Sequence, residues 1–182
     1  MNAAPAFAQD AAPASSGGAA ADLRGPGGLT DGGAHRRQRL LTAWVGFPYH
    51  YYGWGSVGFP LGFGVSYFQP LIHDGFVANL NDSFNLEVGA NATFAWMSGF
   101  STWLALPVTV NWMLHLAPRF SGYVKLGAAI NFGFGYWASQ RAAWVSAFPI
   151  GGLGVMFALN QGLTLRVEAG YPWLAVGLGF AF

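Results

Sequence analysis

The sequence predicts an all-β protein, an eight-stranded antiparallel up-and-down transmembrane β-barrel that follows a disordered N-terminal tail. Three observations lead to this fold class. Hydrophobic residues make up 53% of the 182-residue chain and charged residues only 8%, whereas an ordinary soluble domain has roughly 25% charged residues. The 27 glycines and an aromatic content of 17% favour strands and turns over helices. From Leu40 onward, large apolar residues recur at every second position.

The alternation is clear in the middle of the chain. Phe84, Leu86 and Val88 stand on one face, and polar or small residues stand between them. An α-helix would spread such residues around its circumference, so the pattern indicates strand. Apolar residues outside and polar or small residues inside are typical of a barrel in lipid. The predicted strands are residues 39–48, 57–72, 83–97, 102–116, 121–137, 143–159, 162–171 and 173–182.

The sixth predicted strand is the least regular. Phe148 and Ile150 fall out of phase with Leu153 and the apolar residues that follow it. A β-bulge at Gly151 and Gly152 would be needed to bring all of them to one outer face.

The first 38 residues have a different composition. The stretch PAFAQD resembles the end of a secretory signal, with Ala6 and Ala8 before a cut at Gln9, although the usual apolar segment is missing. We interpret residues 1–8 as a signal-peptide remnant or simply more of the tail, residues 9–38 as a disordered periplasmic tail, and residues 39–182 as the barrel. A net charge of +1 gives no electrostatic basis for a nucleic-acid partner.

The end of the chain carries a short motif. Apolar residues alternate with alanine and glycine through residues 174–182, and the sequence given ends on Phe182. With the seven preceding strands, this part resembles bacterial outer-membrane β-barrel proteins, above all the small OmpA- and OmpX-type barrels. Their last strand ends in an aromatic residue, with another two residues earlier and a glycine three before that. Phe182, Phe180 and Gly177 match this pattern, whereas Ala175 stands where a polar residue is common.

The resemblance implies a location in the bacterial outer membrane and contact with membrane lipid. It also implies that Gly177, Phe180 and Phe182 are read by the outer-membrane assembly machinery. An even number of strands puts both chain ends on one side of the membrane, which for this family is the periplasm.

Five prolines follow an aromatic residue or a leucine, and the strand assignment places all five at the external rim. Proline lacks a donor for the strand ladder, so it belongs at strand ends or bulges. The prolines either trim the strand ends or form a loosened rim that opens to lipid or docks a neighbour, such as another outer-membrane protein or a second copy. They are Pro48, Pro60, Pro107, Pro149 and Pro172.

Four charged residues face the lumen by the same alternation. Since an unpaired buried charge is energetically costly, we predict that Glu87 or Glu168 pairs with Arg166 or Lys125. His115 also faces inward and is expected to hydrogen-bond in the same network. An eight-stranded barrel has room only for side chains or one small ligand, so we predict a plugged lumen without a cofactor. A gate or polar constriction is the functional alternative.

The sequence favours a structural or partner-binding membrane component without enzymatic activity. Small inward residues such as Gly62 and Gly64 leave open a second hypothesis, a cup at the outer rim that binds or laterally transfers a small hydrophobic molecule. A third hypothesis is a lipid-modifying barrel enzyme with a histidine and serine near the external rim. His50 and Ser56 are the nearest such pair, without an acid close in sequence. The chain has no cysteine and no metal-ligand pattern, so no catalytic or metal site is predicted.

Overall fold

The computed structural model describes residues 27–31, 35, 37–48, 60–77, 79–95, 101–135 and 144–182. Within them, eight antiparallel strands close into a barrel in sequence order, which confirms the predicted fold class. No helix in this part of the chain is long and apolar enough to cross a membrane. The strands are β1 (Leu40–Pro48), β2 (Leu61–Ile72), β3 (Asp82–Ala95), β4 (Ser101–Ala117), β5 (Phe120–Gly135), β6 (Trp144–Ala158), β7 (Leu163–Tyr171) and β8 (Trp173–Ala181).

The barrel closes between its first and last strands. Leu40 pairs with Ala181, and Pro48 pairs with Trp173. The start of β1 and the end of β8 therefore lie at the same end of the barrel, which we call the terminal end; the opposite end is the distal end. β1, β7 and β8 have 9 residues each, whereas β4 has 17. Since a tilted spanning strand needs about 9–11 residues, even the shortest strands are long enough to cross a membrane.

The outer surface is apolar and the lumen is polar. Leu126 and Leu153 point outward and are 71% and 63% exposed, whereas Asn111 and Thr42 are fully buried inside the barrel. A water-soluble barrel would reverse this arrangement. The medium around the strands is therefore lipid. In the alternating sequence, the apolar residues face this lipid and the polar or small residues face the lumen.

The bulge considered for β6 is absent, so that interpretation was wrong. Pairing with β5 runs through both glycines without a shift of register, and Phe148 and Ile150 point into the lumen with exposures of 9% and 1%. A Cβ at Gly152 would lie 2.9 Å from the carbonyl oxygen of Ala169 on β7. Gly152 thus permits a close approach of the neighbouring strand and does not mark a break in the ladder.

Three of the five prolines lie at strand ends. Pro48 ends β1, Pro60 precedes β2, and Pro172 lies between β7 and β8 after a cis peptide bond. Pro107 and Pro149 instead lie within β4 and β6, paired with two successive alanines of β5. The expectation that all five mark the rim is therefore wrong for these two.

The two internal prolines lie where the ladder is interrupted. Pairing of β3 with β4 passes from Val88 opposite Val108 to Asn91 opposite Ala105, with no pair at Pro107 between them. On β6, pairing with β7 begins only at Gly151, beyond Pro149. A missing N–H is tolerated at such gaps, which explains how proline fits inside these strands.

The predicted disordered tail is bound to the barrel over its described part. The backbone N–H of Asn81 donates to the carbonyl of Leu29 over 2.7 Å, and the backbone N–H of Arg37 donates to Nδ1 of His73 over 3.0 Å. The composition of the tail concealed this because the contacts use backbone groups and a few polar side chains rather than buried apolar surface.

Candidate functional site

The four inward charges meet in one cluster in the lumen, as the sequence predicted. Arg166 donates from Nη1 to Oε1 of Glu87 over 2.8 Å and from Nη2 to Oε2 of Glu87 over 3.2 Å, and Nη2 also bonds Glu168. Nζ of Lys125 lies 2.8 Å from Oε1 of Glu168 and 3.2 Å from Oε2 of Glu87. All four residues are 4–5% exposed. The cluster therefore contains two acids and two bases, and every charge has an opposite partner.

Neutral side chains complete the surroundings of Arg166. Its Nε donates to the hydroxyl of Tyr123 over 2.7 Å, and Nη1 also donates to Oγ of Ser66 over 3.3 Å. The guanidinium lies over the ring of Phe68, 4.7 Å from its centroid, a favourable cation–π position. A guanidinium has five N–H donors, and five contacts to protein acceptors surround this one. Arg166 is therefore satisfied without a bound ligand.

The two carboxylates receive further hydrogen bonds from other strands. Oε2 of Glu87 accepts from Thr109 over 3.3 Å and from Asn111 over 3.1 Å, both on β4. Glu168 accepts from the hydroxyl of Tyr123 over 2.8 Å and from the indole of Trp173 over 3.3 Å. With Ser66 and Phe68 on β2, the cluster connects side chains of six strands. The sequence analysis found the charges but did not single out these neutral partners.

A glycine makes room for the ring of Tyr123. Gly154 on β6 pairs with Tyr123 on one side and with Glu168 on the other. A Cβ at Gly154 would overlap the phenol ring. The tyrosine thus lies across the neighbouring strand, where its hydroxyl reaches both Arg166 and Glu168.

Apolar side chains pack in the lumen on both sides of the charges. On the distal side, the rings of Trp44 and Trp173 are 5.5 Å apart, and both belong to a cluster with Phe148 and Ile150. A Cβ at Gly64 would lie 2.8 Å from Trp44, so the space considered for a ligand cup beside this glycine is taken by the indole. The buried cluster on the terminal side comprises Leu40, Phe68, Met113, Tyr123 and Met156.

Two cavities in the part of the barrel that the structure describes border these clusters, and both are small. One of about 10 Å³ lies beside the charges, near Trp44 and Trp173. The other, of about 30 Å³, lies at the terminal end between Arg37, Met113 and His115. A water molecule needs roughly 10–15 Å³, so each cavity has room for a few waters at most.

His115 is not part of the charge cluster, contrary to the expectation from sequence. Its Nδ1 lies 2.9 Å from Oγ of Ser121 and its Nε2 lies 3.1 Å from Oγ of Ser83. The position near the end of β4 places it closer to the terminal end than the charges. His50 and Ser56 lie outside the described residues. Among the described residues, no group of three or more histidine or acidic side chains is placed to hold a metal ion.

The residues of the C-terminal motif occupy the two faces of β8. Phe180 and Phe182 point outward and are 52% and 63% exposed, and the ring of Phe182 lies 6.3 Å from that of Tyr67. Gly177 faces inward, where a Cβ would lie 2.6 Å from the carbonyl oxygen of Ala43. The two aromatic side chains are therefore available to lipid.

A closed antiparallel barrel with an apolar exterior and a charge cluster in its lumen defines a small transmembrane β-barrel. Solved structures share the fold. The barrel is similar to Ail, the attachment invasion locus protein of Yersinia pestis, in a crystal structure with the heparin analogue sucrose octasulfate. That match has a TM-score of 0.50 and 15% identity and covers 79% of this chain and 96% of Ail.

A de novo designed transmembrane β-barrel is also similar, with a TM-score of 0.49 and 18% identity over 80% of this chain and 95% of the designed one. A second crystal structure of Ail has a TM-score of 0.46 and 14% identity over 79% of this chain and 95% of that one. No protein-family model matches the chain, and no curated protein sequence matches it.

Proposed function

We propose that this protein is a closed, non-enzymatic barrel that serves as a structural component of the bacterial outer membrane, with its terminal end in the periplasm. The observation that carries the proposal is the saturation of Arg166, whose donors all point to protein acceptors. A guanidinium with this many partners offers no free donor to a substrate. The charges therefore serve to occupy and cross-connect the lumen.

The energetics of burial support a lasting plug. Removing one partner from a buried ion pair leaves an uncompensated charge, which costs about 3–5 kcal/mol. Opening a path through the cluster would separate Lys125 or Arg166 from a carboxylate in the same way. Aromatic and aliphatic side chains pack on both sides of the charged residues and restrict the movement that such an opening would need.

The proposal is tested by conductance in planar lipid bilayers. We expect the purified full chain to insert without steady ion channels, because the paired charges and the two buried apolar clusters occupy the described part of the lumen. A double variant, Arg166→Ala with Glu87→Ala, removes an oppositely charged pair and two large side chains, and should give small channels. Steady channels from the unmodified chain would contradict the plug, whereas a silent double variant would show that the apolar clusters suffice for closure.

We also propose that Phe182 is part of a signal for the outer-membrane assembly machinery. Its ring is exposed on the outer face, and its centroid lies 6.3 Å from that of the Tyr67 ring. Deletion of Phe182 is therefore expected to lower the yield of folded barrel in cell membranes several-fold while changing the stability of purified barrel little. Substitution of Leu178, another outward residue of β8, by alanine is the control. Equal membrane yields for the deletion and the parent chain would contradict a role in assembly and would mean that Phe182 is only a lipid-facing residue of the barrel.

A further inference from the structure

The terminal end of the lumen is covered by a segment that precedes β1. We call residues 27–31, His35 and residues 37–39 the N-terminal strap. Beneath it lies the cavity of about 30 Å³, which Arg37 and Gln38 line from the side of the strap. The walls of the cavity are side chains of β2, β3, β4 and β6 that point inward, including Ser83, Met113 and Met156. The strap therefore lies between this cavity and the exterior.

Asn81, directly before β3, fixes the strap at several points. Its backbone N–H donates to the carbonyl of Leu29 over 2.7 Å, and its side-chain Nδ2 donates to the carbonyl of Gly28 over 3.2 Å. Its Oδ1 accepts a hydrogen bond from Nη2 of Arg37. The carbonyl of the same residue accepts from the N–H of His115 over 2.8 Å. Asn81 thus connects the strap to the barrel wall, and it is only 3% exposed.

The loop between β2 and β3, which also contains Asn81, makes further contacts with the strap through His73 and Asp74. The backbone N–H of Arg37 donates to Nδ1 of His73, and its Nε donates to the carbonyl of His73 over 3.4 Å. The N–H of His35 donates to the carboxylate of Asp74 over 2.9 Å. These contacts are polar and largely exposed, unlike the ladder of the barrel.

The guanidinium of Arg37 is the part of the strap that covers the cavity. Burial lowers the pKa of Arg37 to about 10, while Asp74, Asp31 and Asp82 act against this shift. The group therefore stays charged near neutral pH even though it is mostly removed from water.

We propose that the N-terminal strap is a closure of the periplasmic mouth of the lumen, held shut by Asn81 and His73 and separable from the barrel. The strap is held by a few polar contacts outside the strand ladder, and regions of this kind open at lower free energy than the strands they cover. The strap can therefore open and reclose while all eight strands stay paired. When it opens, the cavity between Ser83, Met113 and His115 becomes accessible to small molecules in the periplasm. The charge cluster remains closed above it.

Cysteine labelling tests the closure because the chain has no cysteine of its own. Ser83→Cys places a thiol in the cavity under the strap, and Thr93→Cys places one in the lumen on the distal side of the charges. Each is introduced into the full chain, folded in lipid vesicles, and treated with a charged methanethiosulfonate reagent. We expect slow labelling of both thiols in the parent background.

Weakening the strap should expose one thiol and not the other. Asn81→Ala removes two side-chain hydrogen bonds that hold the strap, so Ser83→Cys should react on the order of tenfold faster. Arg37→Ala should do the same by uncovering the cavity directly. Arg39→Ala, which changes an exposed basic residue of the same strap, is the matched control. Thr93→Cys should keep its slow rate in every background.

Heat-modifiable mobility in gels confirms that each labelled variant is a folded barrel. Rapid labelling of Ser83→Cys in the parent chain would overturn the proposal, as would unchanged labelling in both Asn81→Ala and Arg37→Ala. Trypsin digestion of the unmodified folded barrel gives a test without substitutions. A bound strap protects the bond after Arg37, whereas cleavage there as fast as in the urea-unfolded chain would contradict the closure.

Discussion

Replacement of Arg166 by leucine is expected to lower the free energy of unfolding by about 3–5 kcal/mol, the usual effect of leaving a buried charge without its partner. The substitution leaves Glu87 and Glu168 in the lumen with only Lys125 between them. It also removes the donors that Ser66 and Tyr123 now accept from. The measurement is equilibrium unfolding in urea of the full chain in lipid vesicles.

A charge-balanced variant separates the effect of charge from the effect of packing. Arg166→Leu combined with Glu87→Leu leaves Lys125 paired with Glu168, so the lumen is neutral again. We expect the double variant to recover at least half of the loss, because a buried ion pair replaced by apolar side chains of similar size is often close to neutral. Additive losses in the double variant would contradict pairing between Arg166 and Glu87.

The second large effect is expected at Gly154. Alanine at this position would overlap the ring of Tyr123, and the ring has no free movement because its hydroxyl bonds Arg166 and Glu168. Overpacking of this kind costs about 1–3 kcal/mol, and the displaced hydroxyl would add to the loss. Gly154→Ala should therefore destabilise the barrel in the same unfolding assay.

Gly151 provides the matched control on the same strand. A Cβ at Gly151 meets nothing closer than 3.8 Å, the distance to Cδ1 of Leu126, so Gly151→Ala should leave stability unchanged or raise it slightly. In a Tyr123→Ala background, Gly154→Ala should lose its effect because the overlapping ring is gone. Equal stabilities of Gly154→Ala and Gly151→Ala in the parent chain would show that Tyr123 does not lie over Gly154.

The alternation of apolar and polar residues predicted the fold because alternate residues of a strand face lipid and lumen. Lipid favours apolar side chains, and the lumen favours polar or small ones. The same alternation placed Glu87, Lys125, Arg166 and Glu168 inside the barrel. The energetic cost of an unpaired buried charge predicted that they would pair with one another. The neutral partners Ser66, Tyr123 and Trp173 were not singled out. Which side chains lie at one height depends on the stagger between strands, and a single sequence does not contain that information.

The alternation predicted side-chain direction less well where the inward-facing residues are themselves apolar. Phe148 and Ile150 face inward in a strand whose outward face is also apolar, so the sequence pattern favoured a bulge that the structure lacks. The positions of Pro107 and Pro149 depend on gaps in the ladder rather than on strand ends. The strap was not predicted because most of its hydrogen bonds to Asn81 and His73 involve a backbone group on one side, and backbone groups are present in any sequence.

Solution NMR of the full chain in bilayer nanodiscs, with arginine side chains labelled by nitrogen-15, tests the central claim most directly. The claim is that the guanidinium of Arg166 is dry and fully paired in the lumen. We expect its Nε–H signal to be shifted from that of free arginine and to exchange with water at least 100-fold more slowly than the signal of the exposed Arg39, because an opening cost of about 3–5 kcal/mol limits access of water. Exchange of Arg166 as fast as that of Arg39 would contradict a lumen closed by this cluster.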